Sequence, residues 1–317
     1  MKGAHRLSWP RPSLLLLLLA MLVLLPVYAA PSRLAPGISY AYLFVIDVSQ
    51  SMNVRDQAVD ASRGAALVSR LEAAKLAVDS GLRGLPCGSR ASVALFADDE
   101  TLVLFEPLEI CAHYPAMQRV VADISWRMAW AGNSRIDTGI VSAMTEAASR
   151  SLKLVFFTDG DQAPYREQVR LNELQAHRGA TRGLIVGVGG EQERPIPKLG
   201  VHDEIIGWWQ PQDAARNGFN PNMAIVMDGF EPAARGTDTA SQGPHEHLSA
   251  LRSEPLQQFA QAAELNYLRL GRNDAYTRAL ADPHLANFDV APRDLRMIFG
   301  LIAASLMLLA WVLPDRP

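Results

Sequence analysis

Residues 42–52 read YLFVIDVSQSM, and this stretch decides the fold. Its first five residues are apolar, and four of them are aromatic or β-branched. Such a run predicts a strand that is buried on both faces of a parallel sheet. Asp47, Ser49 and Ser51 follow at alternate positions. Because open α/β sheets bind ligands at the carboxyl ends of their strands, these oxygen-bearing side chains are candidate ligands for a hard cation such as Mg²⁺, Mn²⁺ or Ca²⁺.

The composition is that of a folded globular protein with additional apolar segments. Of the 317 residues, 49% are hydrophobic and 20% are charged, and the formal net charge is -3. A nucleic-acid-binding protein usually carries a basic surface, so the charge argues against that class of partner.

Strands and helices alternate along most of the chain. After a loop at 53–64, apolar spacing predicts helices over 65–81, 117–128, 136–150, 165–177 and 255–265. Short apolar or alternating runs predict strands over 91–97, 101–106, 152–157, 183–188 and 267–270, and a surface hairpin within 195–212. This order predicts an α/β domain over residues 40–271, with a doubly wound, mostly parallel sheet and helices on both faces.

The two ends of the chain predict export and a membrane location. Three basic residues, Lys2, Arg6 and Arg11, precede an apolar run, so residues 1–30 are expected to be a signal peptide or a signal anchor. Residues 296–314 are apolar over most of their length and are expected to form a transmembrane helix. Residues 31–39 and 272–295 are expected to be linkers. Cleavage of the first segment and its retention as an anchor both remain open.

Cys87 and Cys111 are the only cysteines, and they flank the predicted hairpin of 91–106. Folding that hairpin would bring the two thiols together, so a disulfide is expected in an oxidising compartment. The alternative is a pair of unlinked, small apolar side chains.

Two further polar segments are expected at the same sheet edge as Asp47. Residues 131–140 read AGNSRIDTGI and precede a predicted helix, and residues 156–160 read FFTDG at the end of a predicted strand. Together with the Asp-x-Ser-x-Ser segment, they resemble the metal-ion-dependent adhesion site of the von Willebrand factor A (vWA) domain family. The resemblance covers about residues 40–270 and implies the doubly wound fold of that family.

The resemblance implies a ligand set. Asp47, Ser49 and Ser51 match the first motif of the family, and Asp159 matches the acid of the third. The middle ligand of the family is usually a threonine. Ser134 fits that frame and keeps the hydroxyl group, while Thr138 is the alternative.

The resemblance also implies a function without catalysis. Family members bind a divalent cation, here most readily Mg²⁺, and an Asp or Glu carboxylate of a protein partner completes its coordination. The arrangement of segments resembles bacterial vWA membrane proteins of the Bat and MxaL type, which are associated with AAA-type ATPases of the MoxR group. That resemblance implies a protein of the bacterial inner membrane whose vWA domain lies in the periplasm. Its expected role is assembly or metal insertion for an enzyme such as a quinone-dependent dehydrogenase, with other vWA membrane proteins as possible partners.

Two other functions are compatible with the same residues. The first is a metal-dependent phosphoryl-transfer or hydrolytic enzyme, although the sequence has neither a phosphate-binding loop followed by Lys nor a Gly-x-Ser-x-Gly motif. The second is a sensor of a carboxylate or matrix ligand. Trp208 and Trp209 are a candidate partner-binding pair, and packing over the sheet edge is the alternative for them.

Overall fold

The structure is a computed structural model, and it describes residues 12–29, 32–58, 67–163, 171–210, 247–271, 274–294 and 296–312. The strands in these residues are β1 Ser32–Ser39, β2 Ala41–Asp47, β3 Arg55–Ala58, β4 Leu67–Ser69, β5 Arg90–Ala97, β6 Glu100–Val103, β7 Leu108–Glu109, β8 Lys153–Thr158, β9 Gly183–Gly187, β10 Arg194–Pro195, β11 Pro197–Leu199, β12 Ile205–Trp208, β13 Leu248–Ser249, β14 Asn266–Arg269 and β15 Asn287–Asp294. The α-helices are α1 Pro12–Ala29, α2 Arg70–Gly84, α3 Ile110–Asp123, α4 Ile136–Ser149, α5 Leu171–Ala176, α6 Ser253–Ala263, α7 Ala275–Leu280 and α8 Arg296–Val312. Short 3-10 helices cover Gln50–Asn53, Trp126–Met128 and Pro283–Leu285.

Residues Ser39–Asn287 form one compact unit around a mixed sheet. In its described part the sheet has seven strands, with β14, β9, β8, β2, β5 and β6 side by side and β7 paired to β5. The first five of these run parallel, while β6 and β7 pair antiparallel with β5. The predicted α/β class and antiparallel edge are therefore confirmed.

β2 lies at the centre of the sheet and is buried along its whole length. Its side chains alternate between two apolar cores, so Phe44 packs on one face and Val45 on the other. Helices α2, α3 and α7 cover the first face, and α4, α5 and α6 cover the second. Because β5 pairs with one edge of β2 and β8 with the other, the ends of three strands converge beside Asp47.

Several predicted boundaries were wrong. The helix predicted over 65–81 begins at Arg70, because Ser69 caps it by accepting a hydrogen bond from the backbone N–H of Glu72. The helix predicted over 117–128 is α3 and begins at Ile110. The predicted loop at 53–64 contains β3, which pairs with β4. The beginning of the helix predicted over 165–177 lies outside the described residues, which contain α5.

The second unit comprises Met1–Ile38 and Phe288–Pro317. Its described helices are α1 and α8, and β1 pairs with β15. The predicted linkers at 31–39 and 272–295 therefore contain regular structure, since β1 lies in the first and α7 and β15 lie in the second.

The predicted transmembrane helix over 296–314 is not supported. Among the described residues, no helix is both long and apolar enough to cross a membrane. The basic residues Lys2, Arg6 and Arg11 lie outside the described residues, so the predicted signal segment is described only over α1.

Cys87 and Cys111 are joined by a disulfide with an Sγ–Sγ distance of 2.00 Å. The bond links the segment before β5 to the first turn of α3. It therefore closes the β5–β7 region at the end of the sheet opposite Asp47, near the start of β5.

Candidate metal site

The first part of the site lies where β2 and β8 end side by side. Ile46 pairs with Phe157 in the parallel register, so the next residues of the two strands, Asp47 and Thr158, are neighbours. The Thr158 hydroxyl donates a 2.7 Å hydrogen bond to Asp47 Oδ2, and both residues are fully buried. The predicted Asp47 carboxylate is thus held at the carboxyl edge of the sheet.

Ser49 and Ser51 lie beside Asp47 in the turn that follows β2. The backbone N–H of Ser49 donates a 2.8 Å hydrogen bond to Asp47 Oδ1. The two serine hydroxyl oxygens are 3.1 Å apart, and both residues are buried. The 3-10 helix Gln50–Asn53 fixes this spacing, so the two hydroxyl groups and the carboxylate form one compact group of oxygen atoms.

Ser134 lies between two other strand-end segments. It bridges Asp98, which follows β5, and Ala163, which lies in the loop after β8. Its backbone N–H donates to the Ala163 carbonyl at 2.7 Å, and the Ala163 N–H donates back at 2.9 Å. Ser134 is only 2% exposed, and among the described residues its Oγ has no hydrogen-bond partner. Since buried hydroxyl groups are nearly always hydrogen-bonded, this Oγ is a candidate ligand atom at the sheet edge.

Thr138, the alternative to Ser134, has its hydroxyl group engaged. The group donates a 3.1 Å hydrogen bond to the carbonyl of Arg135 within the first turn of α4. The neighbouring Asp137 is buried, and its Oδ1 accepts from the Thr138 N–H at 2.9 Å. The side chains of this turn are therefore used to begin the helix.

Asp159 follows β8 and is completely buried. Its Oδ1 accepts from the backbone N–H of Asp161 at 3.0 Å. Its Oδ2 lies 2.6 Å from Nη1 of Arg70, at the start of α2, and 3.4 Å from the hydroxyl of Ser249 in β13. The carboxylate that resembles the third ligand of the family is thus already paired with a cation from the protein.

Arg70 brings a positive charge to the site, and its side chain is 0% exposed. Its Nε and Nη2 donate to the two oxygens of Asp56, at 3.0 and 2.7 Å. Nη1 also donates to Ser249 Oγ at 2.6 Å. Burial lowers the pKa of the guanidinium, but the negative charges of Asp159 and Asp56 outweigh it and raise the pKa above its usual value. Arg70 is therefore charged at every relevant pH.

The charge of Asp159 repels the charges of two other carboxylates of the site, Asp47 and Asp161. Burial and the charge of Asp159 together raise the pKa of Asp47 to about 7, against the lowering effect of the hydrogen bonds from Ser49 and Thr158. Burial and Asp159 likewise raise the pKa of Asp161 to about 7, against the lowering effect of Arg252. Buried like charges of this kind are stabilised by a nearby cation.

The residues at this edge fit a hard divalent cation. Asp47, Ser49, Ser51 and Ser134 offer carboxylate and hydroxyl oxygens, the ligand type that Mg²⁺ prefers, and the unpartnered Oγ of Ser134 is free to bind. In the described part of the chain, no three His, Cys, Asp or Glu side chains form a metal cluster, so hydroxyl groups would supply most of the ligands.

Two other residues near the site differ in how far the sequence could predict them. Asp161 follows Asp159 at an alternate position, a spacing that could have identified it. Arg70 carries no such signal, because its partners Asp56, Asp159 and Ser249 are brought to it by the tertiary fold.

The two adjacent tryptophans differ in environment. Trp208 is at the end of β12 and is 45% exposed. Trp209 is partly buried, its ring lies 5.1 Å from Lys198 Nζ, and its backbone N–H donates to the Ile196 carbonyl. Only Trp208 is therefore available as an exposed aromatic anchor, while Trp209 packs on the β11–β12 hairpin.

Residues 42–162 match the family of von Willebrand factor type A domains. Over these residues the chain is similar to the vWA domain family. The match contains Asp47, Ser49, Ser51, Ser134 and Asp159, and it ends in the loop after β8.

Two solved structures share the fold beyond that region. An aerotolerance-related membrane protein from Bacteroides fragilis is 16% identical, with a TM-score of 0.50, and the similarity covers 76% of this chain and 96% of that one. BatB from Bacteroides thetaiotaomicron is 17% identical, also with a TM-score of 0.50, over 76% of this chain and 94% of that one. At these identities the similarity shows the fold alone. No curated protein matches this chain.

Proposed function

We propose that the vWA domain binds a divalent cation, Mg²⁺ in preference to Mn²⁺ or Ca²⁺, and presents it to a carboxylate group of a protein partner. The direct ligands in this proposal are Asp47, Ser49, Ser51 and Ser134, with Asp159 close by. The observation that carries it is the buried Oγ of Ser134, which has no hydrogen-bond partner among the described residues.

The charge of these ligands explains why a partner would be needed. Asp47 would be the only carboxylate bound directly, since Asp159 is paired with Arg70. One carboxylate does not neutralise a divalent cation, and hydroxyl groups add no charge. The bound ion would therefore gain by taking an Asp or Glu side chain from another protein.

The site favours binding over catalysis. The groups around it are hydrogen-bonded within the domain: Thr158 to Asp47, and Arg70 to Asp56, Asp159 and Ser249. These contacts include no histidine or lysine that could act as a general acid or base beside the proposed ion.

We also propose a location and a cellular role for the domain. The basic and apolar N-terminus and the Cys87–Cys111 disulfide support a periplasmic domain associated with the bacterial inner membrane. The shared fold with a membrane protein and with BatB supports a place among vWA proteins of that membrane. The proposed role is assembly or metal insertion for a periplasmic enzyme such as a quinone-dependent dehydrogenase, together with other vWA proteins and a MoxR-type ATPase.

The metal site is tested with a pair of hydroxyl variants in the full chain. Ser134→Ala removes the unpartnered hydroxyl, while Thr138→Ala removes one that is bonded to Arg135. Titration with Mn²⁺, followed by calorimetry, is expected to show roughly tenfold or greater weakening for Ser134→Ala and less than about twofold change for Thr138→Ala. Equal effects of the two substitutions, or an effect of Thr138→Ala alone, would contradict the assignment.

The partner is tested by crosslinking the full chain in native membranes. Proteins crosslinked in Mg²⁺ but absent in EDTA, and absent with Asp47→Asn, are expected to include the partner that supplies the carboxylate. Asp47→Asn keeps the shape and the bond from Ser49, so loss of the crosslink in a folded variant reports on the ion. Crosslinks that are equal in EDTA would place the interface elsewhere, and Trp208 would be the next candidate.

A further inference from the structure

We propose that Arg70 is an internal cation that sets the metal affinity of the site by sharing Asp159 with the bound ion. The proposal rests on the proposed function, because it concerns the same metal site. It assigns to Arg70 the role of a positioning residue, which lowers affinity for the ion and leaves the ion more in need of a partner's carboxylate.

The contacts of Arg70 fix its charge in one place. The guanidinium makes a bidentate pair with Asp56, at 3.0 and 2.7 Å, and a single bond with Asp159 at 2.6 Å. Ser249 accepts two more bonds, at 2.6 Å through its hydroxyl and at 3.2 Å through its carbonyl. Because these groups come from three separate segments, the guanidinium cannot move away from Asp159 without breaking several bonds.

The backbone next to Arg70 is shaped to admit its side chain. Gly189 follows β9 with φ +118, and a Cβ atom there would lie 2.5 Å from Arg70 Nε. At Gly190 a Cβ atom would lie 3.3 Å from Asp56 Oδ2. The N–H of Gly189 is satisfied by Gln57 at 2.8 Å. Because these two glycines have no Cβ atom, the Arg70 guanidinium and its partner Asp56 can pack against the backbone at this edge of the sheet.

The position of the charge decides its effect on a metal ion. Asp159 contacts Arg70, and its charge acts on Asp47. The carbonyl of Ser51, beside Asp47, also accepts a 3.5 Å hydrogen bond from Arg70 Nη1. The positive charge of Arg70 cancels the negative charge of Asp159, and it also repels a divalent ion nearby. Asp56 acts in the opposite direction, because it neutralises part of the charge on Arg70. The two residues of the pair should therefore affect metal affinity with opposite signs.

This difference in sign provides the experiment. The full chain in detergent and its variants Arg70→Met and Asp56→Asn are titrated with Mn²⁺, and their thermal unfolding is followed with Mn²⁺ and with EDTA. Arg70→Met is expected to bind roughly tenfold tighter or more, and Asp56→Asn roughly threefold weaker or more. The gain in melting temperature on adding Mn²⁺ should follow the same order. Arg83→Met is the matched control, because Arg83 is on the same helix, is 61% exposed and forms its ion pair with Asp79.

A purely structural role for Arg70 would give a different pattern. Both variants would then lose stability in EDTA, while their affinity for Mn²⁺ would fall together or stay equal to that of the parent chain, and this result overturns the proposal. If Arg70→Met does not fold, Arg70→Lys retains the charge and should bind Mn²⁺ within about threefold of the parent, while Asp56→Asn must still bind more weakly. An Asp56→Asn variant with unchanged affinity then overturns the proposal.

The outcome for the parent chain separates this inference from the proposed function. If the parent binds Mn²⁺ and the variants match it, the role of Arg70 is wrong and the metal site stands. If the parent does not bind but Arg70→Met does, the role of Arg70 is supported and the native metal-dependent function is refuted. Binding by none of the chains overturns both.

Discussion

Replacing Gly139 by alanine tests how closely α4 is packed on the central sheet behind Ser134. A Cβ atom at this position would lie 2.1 Å from Cε2 of Phe96 and 2.7 Å from two further ring atoms. Phe96 is fully buried in β5, and its ring packs against Phe156 at a centroid distance of 5.3 Å. The ring therefore has no empty space to enter, and the helix must move by roughly 1 Å to restore ordinary contact.

The magnitude follows from two opposing effects. Overpacking of a closed core costs about 1–3 kcal/mol, and the fully buried contact with Phe96 belongs in the upper half of that range. Replacing glycine by alanine within a helix returns about 1 kcal/mol. We therefore expect Gly139→Ala to lower the free energy of unfolding by about 1–2 kcal/mol. Gly84→Ala, at the exposed end of α2 with nothing within 4 Å, should be neutral or stabilising by up to about 1 kcal/mol.

Urea unfolding of the two variants and the parent chain measures this difference. Adding Phe96→Leu to Gly139→Ala makes room for the methyl group, so the double variant should lose less stability than the sum of the single variants. The reasoning would be refuted if Gly139→Ala were as stable as Gly84→Ala, or if the two losses in the double variant were simply additive.

Two further predictions concern the disulfide and the adjacent tryptophans. Replacing both Cys87 and Cys111 by alanine opens a loop with a sequence separation of 24, which should lower the free energy of unfolding by about 3 kcal/mol in the chain-entropy estimate; a chain whose denaturation is unchanged by reductant would contradict it. Trp208→Ala should change stability by less than about 0.5 kcal/mol because Trp208 is 45% exposed, while Trp209→Ala should cost about 1–3 kcal/mol because its ring is packed beside Lys198. Loss of the metal-dependent crosslink in Trp208→Ala alone would identify it as a partner contact, and equal destabilisation by both substitutions would count against this division of roles.

The sheet was predictable from sequence where strands are buried on both faces. The unbroken apolar run from Tyr42 identifies β2, and the chain order of strands and helices predicts its parallel neighbours. The start of α2 was missed although Ser69 and Glu72 form a capping pair at the expected spacing of three residues. The predicted linker at 272–295 failed for another reason, since α7 has only six residues and buries Tyr276 by long-range packing that no local pattern reveals.

The site was predictable in part for the same physical reason. Asp47, Ser49 and Ser51 follow a recognisable strand, so their place at the sheet edge could be read from spacing. An arginine at the start of an amphipathic helix is ordinarily solvent-exposed, and nothing near Arg70 in the sequence indicates otherwise. Its burial depends on Asp159, which is 89 residues away along the chain.

The backbone pairing of Ser134 has a mechanical consequence. Four main-chain hydrogen bonds tie the segment of residues 133–135 to its neighbours, two to Asp98 at 3.0 and 2.6 Å and two to Ala163 at 2.7 and 2.9 Å. These bonds join the loops after β5 and β8 to the segment that leads into α4. A displacement of any one of these three segments would be passed to the other two, so we expect this side of the site to move as one rigid unit.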